Sequence, residues 1–364
     1  MKILHCADLH LDSKMTANFT QEKARERKTE LLMTYQGMIS YAVEEGINVI
    51  LIAGDLFDTK QVSRVARDEV YQSIVRHPEI AFYYLKGNHD ADSFLGNLEA
   101  IPNNLYLFNK EWTSYALSEH VTLTGVELEH ANAETIYPSL VLQSDKVNIV
   151  TLHGQESEHG AKDKTEVIKL RELRNKSIDY LALGHVHMYQ TGELDARGIY
   201  CYPGCLEGRG FDECGEHGFV VLDIDEEQHR ISHTFVPFAK RKLYEIFVDI
   251  SDCMNTDDVA TQMERELAKA SIGAQHVVRF VLTGAVDVEC EYNEELLVKR
   301  FEDQFYFLKI KDKTTRKVDY QAFALDASLK GEFVRTVMAA EDLSEEDKAS
   351  IVRFGILALA GEEI

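Results

Sequence analysis

Ile3-Leu4-His5-Cys6-Ala7-Asp8-Leu9-His10 begins as a short, mostly apolar run and ends in an acid and a histidine two positions apart. The run reads as a buried strand. Side chains alternate faces along an extended chain, so Asp8 and His10 point the same way. The same event recurs four times. The apolar run at 48–53 delivers Gly54-Asp55. Ala81-Phe82-Tyr83-Tyr84-Leu85 delivers Gly87-Asn88-His89-Asp90. The run at 147–152 delivers His153-Gly154, and Tyr180-Leu181-Ala182-Leu183 delivers Gly184-His185-Val186-His187. Strand ends that converge at one edge of a sheet are where open α/β folds place their sites. The mixed nitrogen and oxygen donors suit Mn, Fe or Zn better than an all-oxygen Mg or Ca site.

Taken singly, each residue has a plainer reading. Asp8 and Asp55 could be turn or cap residues. Gly87-Asn88 could be a turn signal. His153 could be a hydrogen-bonded core histidine, as His5 inside the first strand is expected to be. What sets the five motifs apart is that all of them follow strands, in one chain, with donors that metals prefer.

On these motifs the chain resembles the calcineurin-like metallophosphoesterases, and within them the DNA repair exonucleases of the SbcD and YhaO type. Gly54-Asp55-Leu56-Phe57-Asp58 is similar to the family's second motif, and Tyr202-Pro203-Gly204 with Gly208-Arg209 to its last loop. The resemblance covers about residues 1–240 and is weaker beyond. It implies two divalent ions, manganese first, with iron, zinc or a mixed pair as alternatives. One ion would take Asp8, His10 and His187, the other Asn88, His153 and His185, and Asp55 would bridge them. Such a pair clamps the attacking and leaving oxygens of an in-line displacement. His89 would contact the scissile phosphate and protonate the leaving oxygen. Asp58, ahead of Asp90, would orient a histidine from behind.

Composition sets limits. The 364 residues are 45% hydrophobic and 28% charged, which fits a soluble globular chain of two domains, with a small appendage at most. No run of eighteen apolar residues occurs and no secretory core precedes the first motif, so the cytoplasm is the expected compartment. Six cysteines make no disulfide framework at this length, and the spacing of Cys201, Cys205 and Cys214 matches no zinc pattern. A net charge of −23 excludes a protein that coats nucleic acid generally, but not one that processes ends locally. Arg209 is the first candidate for gripping phosphate. Lys14 is second, although solvated charge is its commoner fate.

The expected architecture is α/β: a two-sheet sandwich flanked by helices over 1–240, a smaller α+β capping domain over 241–328, and C-terminal helices over 329–364. Helices are predicted over 20–45, stopped by Gly46, and over 62–75. A charged helix is expected over 161–174. In the second module, strands are expected at 243–250, 276–283 and 305–311. Helices are expected at 256–270, with Thr256 as cap, and at 292–303. Phe333, Val334, Val337 and Met338 form one terminal apolar face. Ile351, Phe354, Leu357 and Ala358, with Ile356 and Leu359, form another.

The leading expectation is a two-metal DNA exonuclease or endonuclease of DNA repair. DNA is its substrate, a coiled-coil ATPase of the SbcC or Rad50 kind and a second copy of the chain are candidate partners, and no membrane is involved. The alternative is a phosphodiesterase or phosphatase for a small molecule such as a cyclic nucleotide. A scaffold with a dead site is the third reading.

Overall fold

The computed structural model describes residues 1–17, 19–58, 62–90, 94–97, 100–156, 167–288, 290–317, 323 and 325–360. They divide into two compact units, Met1–Lys242 and Leu243–Ile364.

The first unit opens with β1 (Lys2–Cys6), α1 (Gln21–Glu44), β2 (Val49–Ala53), α2 (Arg64–Arg76), β3 (Ala81–Leu85) and β4 (Leu105–Leu107). Next come β5 (Thr113–Ala116), β6 (Val121–Gly125), α3 (Ile136–Ser139), β7 (Val147–His153), α4 (Leu170–Leu173) and β8 (Tyr180–Gly184). It closes with β9 (Gln190–Glu193), β10 (Ile199–Tyr202), β11 (Gly218–Asp225) and β12 (Arg230–Pro237). One sheet has the order β12-β11-β1-β2-β3-β4 and the other β5-β6-β7-β8-β10-β9. Strands β1 to β4 run parallel, as do β6, β7, β8 and β10.

Alternation builds the sandwich. Ile3, Leu51 and Leu85 of the first sheet share a core with Ile149, Tyr180 and Ala182 of the second. The intervening Leu4, Ile50, Ile52 and Phe82 are also buried, as a parallel sheet covered on both faces requires. Val150, Leu152, Leu181 and Leu183 form another core with Ile136 and Leu173 of the short helices. His5 is a core histidine: its Nδ1 lies 2.9 Å from the Tyr180 hydroxyl, and burial lowers its pKa to about 3.

Helix α1 is capped by the Thr20 hydroxyl and buries Leu31, Tyr35, Met38, Ile39 and Ala42. Gly46, in the left-handed region at φ 66°, ends it. The buried Arg27 of α1 is held 2.9 Å from both Glu30 and Glu207. That ties the helix to the loop that carries Arg209. The expected helix over 161–174 is corrected. Of its described residues only Leu170–Leu173 is helical. Val167 instead bridges Gln155, and the Ile168 amide donates to the Gln155 carbonyl at 2.7 Å, which pulls the chain into the extended form. Residues 161–166 lie outside the described residues.

The second unit alternates strand and helix: β13 (Leu243–Asp249), α5 (Thr256–Ala268), β14 (Val277–Thr283), β15 (Ala285–Asp287), α6 (Glu294–Phe301), β16 (Phe307–Asp312) and β17 (Thr315–Lys317). β13, β14 and β16 pair in parallel, which spacing alone left open. The cap of α5 is Asn255 and not Thr256: its side chain accepts from the amides of Asp257 and Asp258. α7 (Leu329–Met338) and α8 (Glu345–Ala360) complete the unit. On α8 the buried face is Ala349, Val352 and Ile356, packed with Val334 and Val337. Ile351, Phe354 and Leu359, expected on the apolar face, are exposed. A spacing of three and four residues selects one stripe, and theirs lies on another. The side chain of Leu357 is outside the described residues.

Candidate metal centre

The loops after β1, β2, β3, β7 and β8 meet at one edge of the sandwich. Backbone bonds stitch them: the Asp8 amide donates to the Gly54 carbonyl (3.1 Å), His10 to Asp55 (2.9 Å) and Gly154 to Gly184 (3.1 Å). Asp8, His10, Asp55 and His185 all have positive φ (51°, 43°, 52° and 98°). Non-glycine residues rarely adopt that region, and the cost, about 1–3 kcal/mol each, is tolerated where surroundings fix a functional geometry. Close approach explains Gly87, since a Cβ there would lie 2.2 Å from Asp55 Oδ1.

Among the described residues, three groups bring ligand atoms within 4.8 Å of one another: Asp8–His10–His187, Asp8–Asp55–His153 and His10–Asp58–His89. Asn88 joins the second, its Oδ1 3.0 Å from His153 Nε2. His185 packs its ring edge-on against His153, with centroids 5.4 Å apart, and its amide donates to both Asp8 oxygens at 2.9 Å. Its ring nitrogens fall outside the three groups.

The hydrogen bonds behind the rings decide what the front of the site needs. His153 Nδ1 lies 2.9 Å from the Ala53 carbonyl, so that nitrogen carries the proton. Its Nε2 lone pair then faces Asn88 Oδ1 at 3.0 Å and Asp55 Oδ2 at 3.3 Å. Three acceptors pointing at one another need a positive charge between them. Burial disfavours a charged His153, but Asp55 overrides it and raises the pKa to about 10. The second group repeats the pattern. His187 Nδ1 lies 2.6 Å from Glu213 Oε1, so it donates there. The Arg209 guanidinium, 3.1 Å from the same nitrogen, is better placed on Glu213 itself, at 3.0 Å. His187 Nε2 is left 3.1 Å from His10 Nε2, while His10 Nδ1 is 3.1 Å from Asp58 Oδ1. This last is an ion-pair distance without the alignment of a full hydrogen bond. Two imidazole nitrogens face each other with carboxylates behind both, and a cation between them would satisfy both lone pairs. The residues present therefore fit two metal ions, with Asp55 Oδ2 at 3.3 Å from His153 Nε2 and 3.7 Å from His10 Nε2 common to both.

Asp58 and Asp90 do different things. Asp58 accepts from the Ser13 hydroxyl at 2.8 Å, and its Oδ1 faces His10, Arg209 (3.2 Å) and His89 Nδ1 (3.7 Å). Burial works against its charge, yet the contacts with His10, Ser13 and Arg209 hold its pKa at about 2. Asp90 accepts from the amides of Leu56, Phe57 and Gly87 (3.2, 2.9 and 2.9 Å), and so locks the two loops together. Burial, and then the charge of Asp55, push it up to about 7. His89 stands at the rim, its side chain 48% exposed, with its amide donating to Asp55 Oδ1 at 2.9 Å. Arg209, expected to grip phosphate, is engaged by Asp58 and Glu213. Glu213 was not visible in the sequence. It follows Arg209 by four residues, deep in the long loop after β10 and away from the strand end, and only the fold brings it behind His187.

A family model, the calcineurin-like phosphoesterase, matches residues 1–189, more than half of the chain. The chain belongs to the calcineurin-like phosphoesterases. The family works as metal-dependent phosphoester hydrolases on a dimetal centre, and the two acceptor clusters are the residues that can hold it. Among curated relatives, the uncharacterized metallophosphoesterase YhaO of Bacillus subtilis is 25% identical, over 78% of this chain and 72% of that protein. The DNA double-strand break repair protein Mre11 of Saccharolobus solfataricus is 23% identical, over 100% and 96%. An SbcCD nuclease subunit from Staphylococcus epidermidis is 25% identical, over 68% and 72%. No helix among the described residues is long and apolar enough to cross a membrane.

The Glu213–His187 contact yields a first test. Glu213→Gln keeps the shape and removes the charge that makes His187 Nε2 a stronger donor. Metal affinity is expected to fall about 10- to 100-fold, as losses of such supporting carboxylates do. Competition with a fluorescent chelator reads this directly; an unchanged affinity would mean the contact is only structural.

Proposed function

We propose that this protein is a two-metal phosphodiesterase that cuts DNA, with Asp8, His10, Asp55, Asn88, His153, His185 and His187 as ligands and His89 as the acid. The observation that carries the reading is the pair of acceptor clusters sharing Asp55, with a histidine at the open rim. Divalent ions, manganese first, would there draw the proton from an attacking water and neutralise the phosphoryl oxygens. The chain's own groups do the rest. His153 and His187 are fixed in one tautomer by Ala53 and Glu213. Asp58 faces His10 and His89, so it can hold the first ring toward the metal position and the second toward the reacting phosphate. His89 is accessible and lies next to Asp55, where it can hand a proton to a departing sugar oxygen. The choice of DNA rests on the relatives named for nuclease and break-repair roles. One of these is by name a subunit, so a second subunit, an ATPase, is the partner we propose.

The test is manganese-dependent cleavage of end-labelled linear duplex and closed circular DNA, beside a cyclic dinucleotide and a generic small diester. Degradation of the linear DNA is expected. Turnover of the small substrates alone would move the protein to a small-molecule phosphodiesterase.

A further inference from the structure

The chain carries 62 acidic and 39 basic residues, so a cavity whose charged lining residues are all cations stands out. One cavity of about 310 Å³ is lined by Lys14, Thr16, Gln21, Ala24, Arg25 and Lys28. Three of the six are cations, and no carboxylate is among them. Lys14 and Arg25 are exposed and make no ion pair among the described residues. Lys28 is held in place: its Nζ is 2.5 Å from Asp12 Oδ1, and Asp12 is itself fixed by the Ser63 amide (2.8 Å) and hydroxyl (2.7 Å).

A second cavity, which shares two of these lining residues, lies toward the reacting end of the molecule. Lys14 and Thr16 also line this neighbouring cavity of about 480 Å³, whose walls include Ser13, Asp58, Arg209, Asp212 and Glu213. Asp58 in turn faces His10 and His89. Neighbouring lining residues therefore lead from Asp58, which faces the candidate acid, through Lys14 to Arg25 and Lys28.

The chemistry of the far cavity is that of an oxyanion receptor. Ammonium, guanidinium, hydroxyl and amide groups line it, and the N-terminal end of the 24-residue α1 adds the positive end of its dipole. No aromatic ring is among the lining residues, so there is no platform on which a base could stack. Recognition there would read charge and not sequence.

We propose that this cation-lined cavity binds substrate phosphate away from the bond that is cut, so that the substrate class is a phosphodiester chain and not a lone phosphoester. The proposal rests on the phosphodiesterase reading of the metal centre. A compound with one phosphate at the metal centre leaves the cavity empty; a polynucleotide strand fills both.

The test is a salt series. Binding of a fluorescent twelve-residue oligothymidylate with phosphorothioate linkages is followed by anisotropy, with and without a 5′-phosphate. For single strands, each lost phosphate contact flattens the dependence of log K on log salt by about 0.7. Arg25→Gln is expected to flatten it by about 0.7, and Lys14→Gln/Arg25→Gln by about 1.4. Flattening with both oligonucleotides assigns the cavity to internal phosphates; flattening only with the phosphorylated one assigns it to a strand terminus. An unchanged slope in both variants, or no binding by the wild type, overturns the proposal. Turnover of a small diester separates this from the underlying reading. Arg25→Gln should retain whatever small-diester turnover the wild type has, and a wild type that hydrolyses neither the small diester nor linear DNA would sink the phosphodiesterase assignment whatever the slopes.

Discussion

Asp55→Asn is expected to lose metal from both halves of the centre and to abolish turnover. An Asp55 oxygen faces a histidine in each acceptor cluster, 3.3 Å from His153 and 3.7 Å from His10, closer than Asp8 comes to His187 at 3.9 Å. It is nearly fully buried, at 1% exposure, so no water replaces the lost charge. Breaking a buried charge pair costs about 3–5 kcal/mol, which is on the order of a hundred- to several thousandfold in affinity at each ion. Metal content by mass spectrometry is the readout. A variant that still carries two ions per chain would remove Asp55 from the bridging position.

The same variant has a second, metal-independent signature. In metal-free protein, burial opposes a charged His153 and Asp55 raises its pKa to about 10, above the ordinary 6.5. A raised histidine pKa stabilises the fold fully below about 6.5, and that contribution fades as pH climbs toward 10. The melting temperature of metal-free wild type should therefore fall between pH 7 and pH 10. In Asp55→Asn the charge that raises His153 is gone, so this fall should flatten. Metal-loaded wild type should also lack it, because the ion replaces the proton on Nε2.

What the sequence made legible follows from how strands work. A period of two, ended by a polar residue, is a local signal, and it brought Asp8, His10, Asp55, Asn88, His153, His185 and His187 to notice. The structure gathers the first five and His187 at one edge of the sandwich. It places His185 beside them, through its amide on Asp8 and its ring on His153. Groups that support from behind had no such signal. Glu213 reaches His187 across 26 residues, and Asp90 acts through three backbone amides that no side-chain pattern announces. Helix starts failed where two good caps adjoin: Asn255 takes the role that Thr256 could have filled. On α8, apolar residues occur on most sides, so periodicity could not choose the buried stripe. That choice was made by Val334 and Val337 of the neighbouring helix.

His89→Gln separates binding from chemistry. Its amide, not its ring, bonds to Asp55, so the backbone geometry survives the substitution. The imidazole belongs to neither acceptor cluster that shares Asp55. It sits at the rim, 3.7 Å from Asp58 Oδ1 and edge-on to His10 with ring centroids 5.2 Å apart. Glutamine keeps a hydrogen-bond donor there but cannot give up a proton. Metal content should stay at the wild-type level while kcat falls about 10²- to 10⁴-fold, the usual worth of a positioned general acid. The leaving group tests the role further. A diester whose leaving group is a nitrophenolate needs little protonation, so the defect should shrink on it and be largest on DNA, where the leaving oxygen is a sugar alkoxide. An equal defect on both substrates would mean that His89 holds the phosphate and does not supply the proton. Full activity of the metal-loaded variant on DNA would exclude His89 from the reaction.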